Sequence, residues 1–141
     1  MAEFTFYAKG SKKITARHKT TLEITKDDVK TARGDCIVAT SSSIGLAELP
    51  ENVKRELGND GTKVMLTIEA GGACECIQGS GNSGLTLDNT NEMVVRKSGY
   101  VCGRTLMVNA DKASVDLKPE LIKALKNQGA VIRITISTAQ L

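Results

Sequence analysis

The chain has 141 residues, 40% of them apolar and 25% charged, and a formal net charge of +3. That is long enough to bury about two-thirds of the unfolded surface around one core, and the balance excludes a disordered or fibrous chain. No apolar run approaches the roughly 20 residues that span a bilayer, the start Met1-Ala2-Glu3-Phe4 does not read as an export signal, and four scattered cysteines make no disulfide framework, so a cytoplasmic protein with no membrane partner is expected.

In chain order, residues 4–9 alternate apolar and polar and predict a strand, as do residues 13–19 and the run Thr21-Leu22-Glu23-Ile24-Thr25. Cys36-Ile37-Val38-Ala39, after a glycine turn at Gly34, predicts a short apolar strand, and the Ser-rich residues 41–46 predict a loop. Leu49, Val53 and Leu57 recur at i, i+4 and i+8, one apolar stripe on a short helix with Pro50 in its first turn and Gly61 at its end. The period then changes to two, placing Val64, Leu66 and Ile68 on one face of a half-buried strand. Residues 73–78 predict a strand, 79–84 a loop and 84–88 another alternating strand. Thr105-Leu106-Met107-Val108 follows Gly103 as the earlier short strand follows Gly34. Leu117, Leu121 and Leu125, with Pro119 and Gly129, repeat the helix; Ile132, Ile134 and Ile136 repeat the strand after it.

Sliding the chain by 68 positions lays residues 49–68 on 117–136 with six of 20 positions identical, where chance leaves about one. This predicts an α+β fold: a single domain over residues 1–141 built from two strand–strand–helix–strand units, about 3–70 and 71–138. Intertwined about a pseudo-two-fold axis, the two units are expected to close a small β-barrel with two short helices and no exposed edges. The arrangement resembles the cradle-loop and double-psi barrels, Gly34-Asp35 standing like their Gly-Asp turn and Gly103-Arg104 departing from it. An open mixed sheet flanked by two helices is the alternative. The same axis predicts that Asp35 and Arg104 meet as a charge-assisted pair.

Longer blocks carry a family resemblance. Thr15-Ala16-Arg17-His18-Lys19-Thr20-Thr21-Leu22-Glu23-Ile24-Thr25-Lys26-Asp27, Arg33-Gly34-Asp35-Cys36-Ile37-Val38, Met93-Val94-Val95-Arg96-Lys97-Ser98, Cys102-Gly103-Arg104-Thr105-Leu106 and Ala110-Asp111-Lys112-Ala113 are similar to the archaeal family catalogued as domain of unknown function 371. That family's pattern has an Ala-Asp-Lys in the first half too, where this chain has Thr40-Ser41-Ser42-Ser43. The resemblance implies an archaeal cytoplasmic protein and no activity.

Chemistry is sparse. Residues 9–33 hold eight Lys/Arg against three acids, a concentration that suits phosphates or an acidic partner but is also met in solvated faces without a ligand. The leading expectation is a non-enzymatic binding module presenting Lys12, Lys13, Arg17, Lys19, Lys26, Lys30 and Arg33 to an anionic partner, RNA before other phosphorylated small molecules. Thr20, Thr21, Glu23, Thr25, Lys26 and Asp27 line one strand and its exit with polar side chains that could hold a phosphate or sugar, or simply fill an exposed strand and turn. The rival is an enzyme with a polar pocket between the two units, using His18 as acid or base, Asp35 or Glu23 to orient it, and Arg96 or Arg104 for a substrate anion, with Lys112 a further cation on the same account. Against it stands a half-buried His18 bonded to backbone. A structural adaptor or homodimer is the third class.

Cys74 and Cys76 at i, i+2 face one way on a strand, yet no Cys-x₂₋₄-Cys pair accompanies Cys36 and Cys102, so buried thiols are expected rather than zinc. No glycine-rich phosphate loop is present. Neither metal nor cofactor is expected.

Overall fold

In the computed structural model, which describes residues 1–28 and 34–139, the switches between period two and helical period lay out one order of elements twice. The first half runs β1 (Ala2–Lys9), β2 (Thr21–Thr25), β3 (Ile37–Ala39), a 3₁₀ turn at Leu46–Glu48, α1 (Glu51–Leu57) and β4 (Lys63–Ala70). The second runs β5 (Ala73–Ser80), β6 (Glu92–Arg96), β7 (Thr105–Met107), a 3₁₀ turn at Ser114–Asp116, α2 (Pro119–Leu125) and β8 (Val131–Ala139). No described helix is long and apolar enough to cross a membrane.

The halves interlock. One sheet has the order β1-β8-β4-β5, all antiparallel, so each half's first strand pairs with or lies beside the last strand of a half, with β8 and β4 at the centre. The other has the order β3-β2-β6-β7, antiparallel at its centre and parallel at both sides. In the first sheet Leu66 faces Ile136 and Ile68 faces Ile134 across the ladder, and all four are fully buried. Leu22, Ile24, Met93 and Val95 supply the inner face of the second sheet. Val53 and Leu57 of α1, and Leu121 and Leu125 of α2, complete the same core, each buried side chain of this size contributing about 1.5–3 kcal/mol.

The structure corrects four expectations. No sheet closes into a barrel: the two open sheets pack on one core and are linked at their edges by isolated bridges, Lys9 with Thr40 and Ser80 with Val108. Ser41 and Asn109, the residues directly after those bridges, are left-handed (φ 49° and 54°), so the chain turns away and the ladder stops after one pair. Residues 13–19 and 84–88 form no strand; Ala16 and Leu87, at corresponding places, are also left-handed (φ 51° and 52°), so the apolar alternation there marks buried positions along a bent arm. β6 is a strand that alternation did not announce. The helices end at Leu57 and Leu125, and Gly61 and Gly129 (φ 83° and 77°) form the turns into β4 and β8 instead.

Candidate functional site

The two halves meet along the β2–β6 ladder, where Glu23 stands opposite Val94 and Thr25 opposite Glu92. Period two sends Leu22 and Ile24 into the core and leaves Glu23 on the other face, yet Glu23 is only 7% exposed. Nη1 of Arg104 lies 3.2 Å from a Glu92 carboxylate oxygen and 3.7 Å from one of Glu23, and the Cys36 thiol lies 3.8 Å from the same Glu23 oxygen. Two carboxylates thus share one cation. Burial, then the hydrogen bond and charge of Glu92, push the Glu23 carboxyl up to about 7, against the pull of Arg104. The proton belongs to the pair. Arg104 is raised in turn by its bond to Glu92. Burial, followed by the Glu23 charge, pushes the Cys36 thiol up to about 11.

Beside this cluster Arg96 lies over the Tyr100 ring at 4.9 Å, donates from Nε to the Thr105 hydroxyl at 2.9 Å and from Nη2 to the Cys102 sulfur at 3.3 Å. Burial works to raise the Cys102 thiol. Hydrogen bonds from the Arg104 N–H, the Thr105 hydroxyl and Arg96 outweigh it and bring the thiol down to about 7. None of the cysteines is fully buried: Cys74 is exposed and the others intermediate, correcting the expected hydrophobe role. Cys36 and Cys102 flank the second sheet while Cys74 and Cys76 lie in β5 of the first. Among the described residues no group of His, Cys, Asp and Glu is placed to hold a metal.

The family model described as Domain of unknown function (DUF371) matches residues 6–139. The chain belongs to this family. It is also 43% identical, over 124 residues, to an uncharacterized protein of Methanocaldococcus jannaschii, an alignment covering 88% of this chain and 91% of that protein.

In this DUF371 chain His18 stands apart from the junction cluster and serves as an acceptor for backbone N–H groups. Its Nδ1 accepts from the Thr20 and Thr21 N–H groups at 3.2 and 3.1 Å and lies 2.9 Å from the Thr21 hydroxyl, which puts the ring proton on Nε2. At the corresponding place before β6, Asn89 Oδ1 accepts from the Asn91 and Glu92 N–H groups at 2.9 and 2.8 Å. Asp35 does not meet Arg104: its carboxylate accepts from the Thr15 hydroxyl at 2.7 Å and its carbonyl accepts from the Arg17 and His18 N–H groups. Lys26 pairs with Glu48 at 2.5 Å, and Asp27 accepts from the Asn91 amide at 3.2 Å, so the polar run after β2 is occupied by its own neighbours. Lys112 reaches the Cys76 carbonyl at 2.8 Å and Glu75 at 3.6 Å on the β5 edge, away from the junction.

Lys12, Lys13, Arg17 and Lys19 are exposed and, among the described residues, form no ion pair, whereas Lys26, Lys97, Arg104, Lys112 and Arg133 all do. Lys30 and Arg33 lie outside the described residues. Sequence reasoning named Arg96 and Cys102 separately but missed Glu92 and the grouping of Arg96 with Tyr100, Cys102 and Thr105; the available signal for Glu92 was the run Glu92-Met93-Val94-Val95-Arg96, whose two ends are charged residues on one strand face.

Proposed function

We propose that the protein is a binding module for an anionic partner, RNA ahead of other phosphorylated ligands, and that Lys12, Lys13, Arg17 and Lys19 make the contacts. The observation that carries this reading is that these four cations are exposed and unpaired among the described residues. Four phosphate contacts on a single strand contribute about −3 to the slope of log K against log[salt]. Fluorescence anisotropy of a labelled single-stranded RNA over a salt series measures it. Replacing the four with Gln should flatten the slope and weaken binding at every salt concentration. Absence of binding by the native protein at low ionic strength refutes the reading.

A second reading is favoured by the junction geometry: general acid–base chemistry on an anionic substrate, with Glu23 as proton donor, Glu92 as its partner and Arg104 or Arg96 for the anion. His18, whose Nδ1 is already bonded to backbone, has no part in it. Turnover in a panel of phosphate and carboxylate esters that is lost in Glu23→Gln and kept in His18→Asn supports this reading; turnover indifferent to Glu23→Gln removes it.

A further inference from the structure

We propose that the anion-binding surface is composite: Lys123 and Lys126 at the end of α2 lie beside Lys12 and Lys13 and extend the basic arm, so that these four lysines, with Arg17 and Lys19, hold the phosphodiester backbone of a single-stranded RNA. This deepens the binding reading above and rests on it. The arm is fastened to the helix end by backbone. Ser11 N–H donates to the Leu125 carbonyl at 2.9 Å, Gly10 N–H to the Ala130 carbonyl at 2.8 Å and Gly129 N–H to the Gly10 carbonyl at 3.0 Å, while Lys12 N–H reaches Gln128 Oε1 at 3.1 Å. The approach is so close that a side chain at Gly10 would stand 2.6 Å from the carbonyl oxygens of Leu125 and Asn127. Two basic segments far apart in sequence therefore sit side by side. Lys123 and Lys126 also line an open depression of about 500 Å³, with Asn127, Ala130 and the Gly71 turn, and Glu120 as the acid on its rim. All four lysines are exposed and none pairs with an acid among the described residues.

The pseudo-duplicated fold supplies its own control. At the end of α1 the same fastening occurs, Asn82 N–H donating to the Leu57 carbonyl at 2.9 Å and Gly81 N–H to the Thr62 carbonyl at 2.9 Å. There Ser83 and Gly84 stand for Lys12 and Lys13, Arg55 and Gly58 for Lys123 and Lys126, and Asp60 accepts from the Ser83 N–H at 2.8 Å. Of the four counterparts only Arg55 is a cation, yet the same geometry forms, so the four lysines at the α2 end are not required by the fold. No aromatic side chain lines the depression, which fits contact with phosphates rather than stacking on bases. Exposed Asn127 and the amide N–H₂ of Gln128 beside the lysines supply donors and acceptors for a 2′-hydroxyl, and this favours RNA over DNA.

Anisotropy titrations of the full chain with a labelled single-stranded oligoribonucleotide test the proposal, using Lys12→Gln/Lys13→Gln, Lys123→Gln/Lys126→Gln and, at the α1 end, Arg55→Gln. Each lysine pair should lower the magnitude of the salt slope by about 1.4 and weaken binding, Arg55→Gln should leave both unchanged, and the matching oligodeoxyribonucleotide should bind more weakly. Binding unaffected by Lys123→Gln/Lys126→Gln but weakened by Lys12→Gln/Lys13→Gln overturns the composite surface and leaves the broader reading standing. No binding by the native chain overturns both. Equal binding of DNA, or displacement by polyglutamate at equal charge concentration, overturns the assignment to RNA. Circular dichroism of each surface variant separates a lost contact from a lost fold.

Discussion

Replacing Glu23 by Gln should make the protein more stable at neutral and alkaline pH while changing little near pH 4.5. Glu23 goes from an ordinary 4.5 to about 7 in the folded chain, chiefly through burial and then through Glu92. Between those values the folded state holds a proton that the unfolded state has released, so stability falls as pH rises through the window and the loss is complete above the folded value. Each pH unit is worth 1.36 kcal/mol, roughly 3 kcal/mol over the window. The Arg104 side chain that reaches Glu23 is 45% exposed, so water screens the cluster and on the order of 2 kcal/mol is the better figure. Gln keeps the shape of the protonated side chain and removes its titration, so the variant should exceed the native protein by that amount at pH 8. Urea unfolding followed by circular dichroism at pH 5, 6, 7 and 8 measures the difference. Parallel stability profiles for the two proteins across that range would refute a proton shared between Glu23 and Glu92.

Other outcomes follow from single contacts. His18→Asn should fold normally, because Asn89 does the same task before β6, whereas His18→Ala should cost about 0.5–1.5 kcal/mol by removing the acceptor of the Thr20 and Thr21 N–H groups; equal stability of the two variants in urea would sink the backbone role. Thiol alkylation should separate Cys102 from Cys36, the first reacting with a midpoint near pH 7 and the second only toward pH 11. The same thiols add to the stability profile with opposite signs: the lowered Cys102 gains stability as pH rises from 7 to 9, and the raised Cys36 loses it from 9 to 11; peptide mapping after alkylation identifies which thiol reacted. Gly10→Ala should destabilise by about 1–3 kcal/mol, since its Cβ would meet backbone oxygens that cannot move without opening the end of α2; an unchanged thermal midpoint would contradict the close approach.

Between the long central strands and β6, the difference in what the sequence disclosed lies in whether one strand face is wet. β4 and β8 are buried on one face and exposed or half-buried on the other, so alternation announced them. In β6 Met93, Val94 and Val95 are all buried, so period two is erased and the strand was missed. Barrel closure could not be read because it turns on two left-handed residues, Ser41 and Asn109, whose dihedral angles are not determined by composition. At the junction Glu23 and Arg104 were both named, but the pairing was wrong by one residue. Glu23 N–H bonds the Cys36 carbonyl as Val94 N–H bonds the Arg104 carbonyl, so Cys36, not Asp35, is the counterpart of Arg104. Asp35 stands one residue earlier in the turn and reaches Thr15, and the carboxylates that reach Arg104 come from β2 and β6.

Corresponding positions in the two halves also separate what the fold needs from what it merely carries. His18 and Asn89 differ in chemistry but offer an acceptor at one place, so the acceptor is the requirement. Glu75, whose carboxylate accepts from the Lys118 N–H at 2.9 Å and pairs with Lys112, corresponds to Phe4, with Ile44 and Pro50 in place of the two lysines; an ionic and an apolar solution serve the same edge, in keeping with the near-neutral exchange of such groups. Glu23 corresponds to Val94 and Cys36 to Arg104, and here the exchange is not neutral. A buried carboxyl raised to about 7 is a cost that Val94 shows to be avoidable at the matching position, and one half of the ladder bears it while the other does not. The lysines at the end of α2 differ from their α1 counterparts without such a cost, being solvated on a surface. Expense at the junction and asymmetry at the helix end are therefore independent departures from one shared scaffold, and Glu23→Gln should leave RNA affinity unchanged while Lys123→Gln/Lys126→Gln leaves the slope of stability between pH 5 and 7 unchanged.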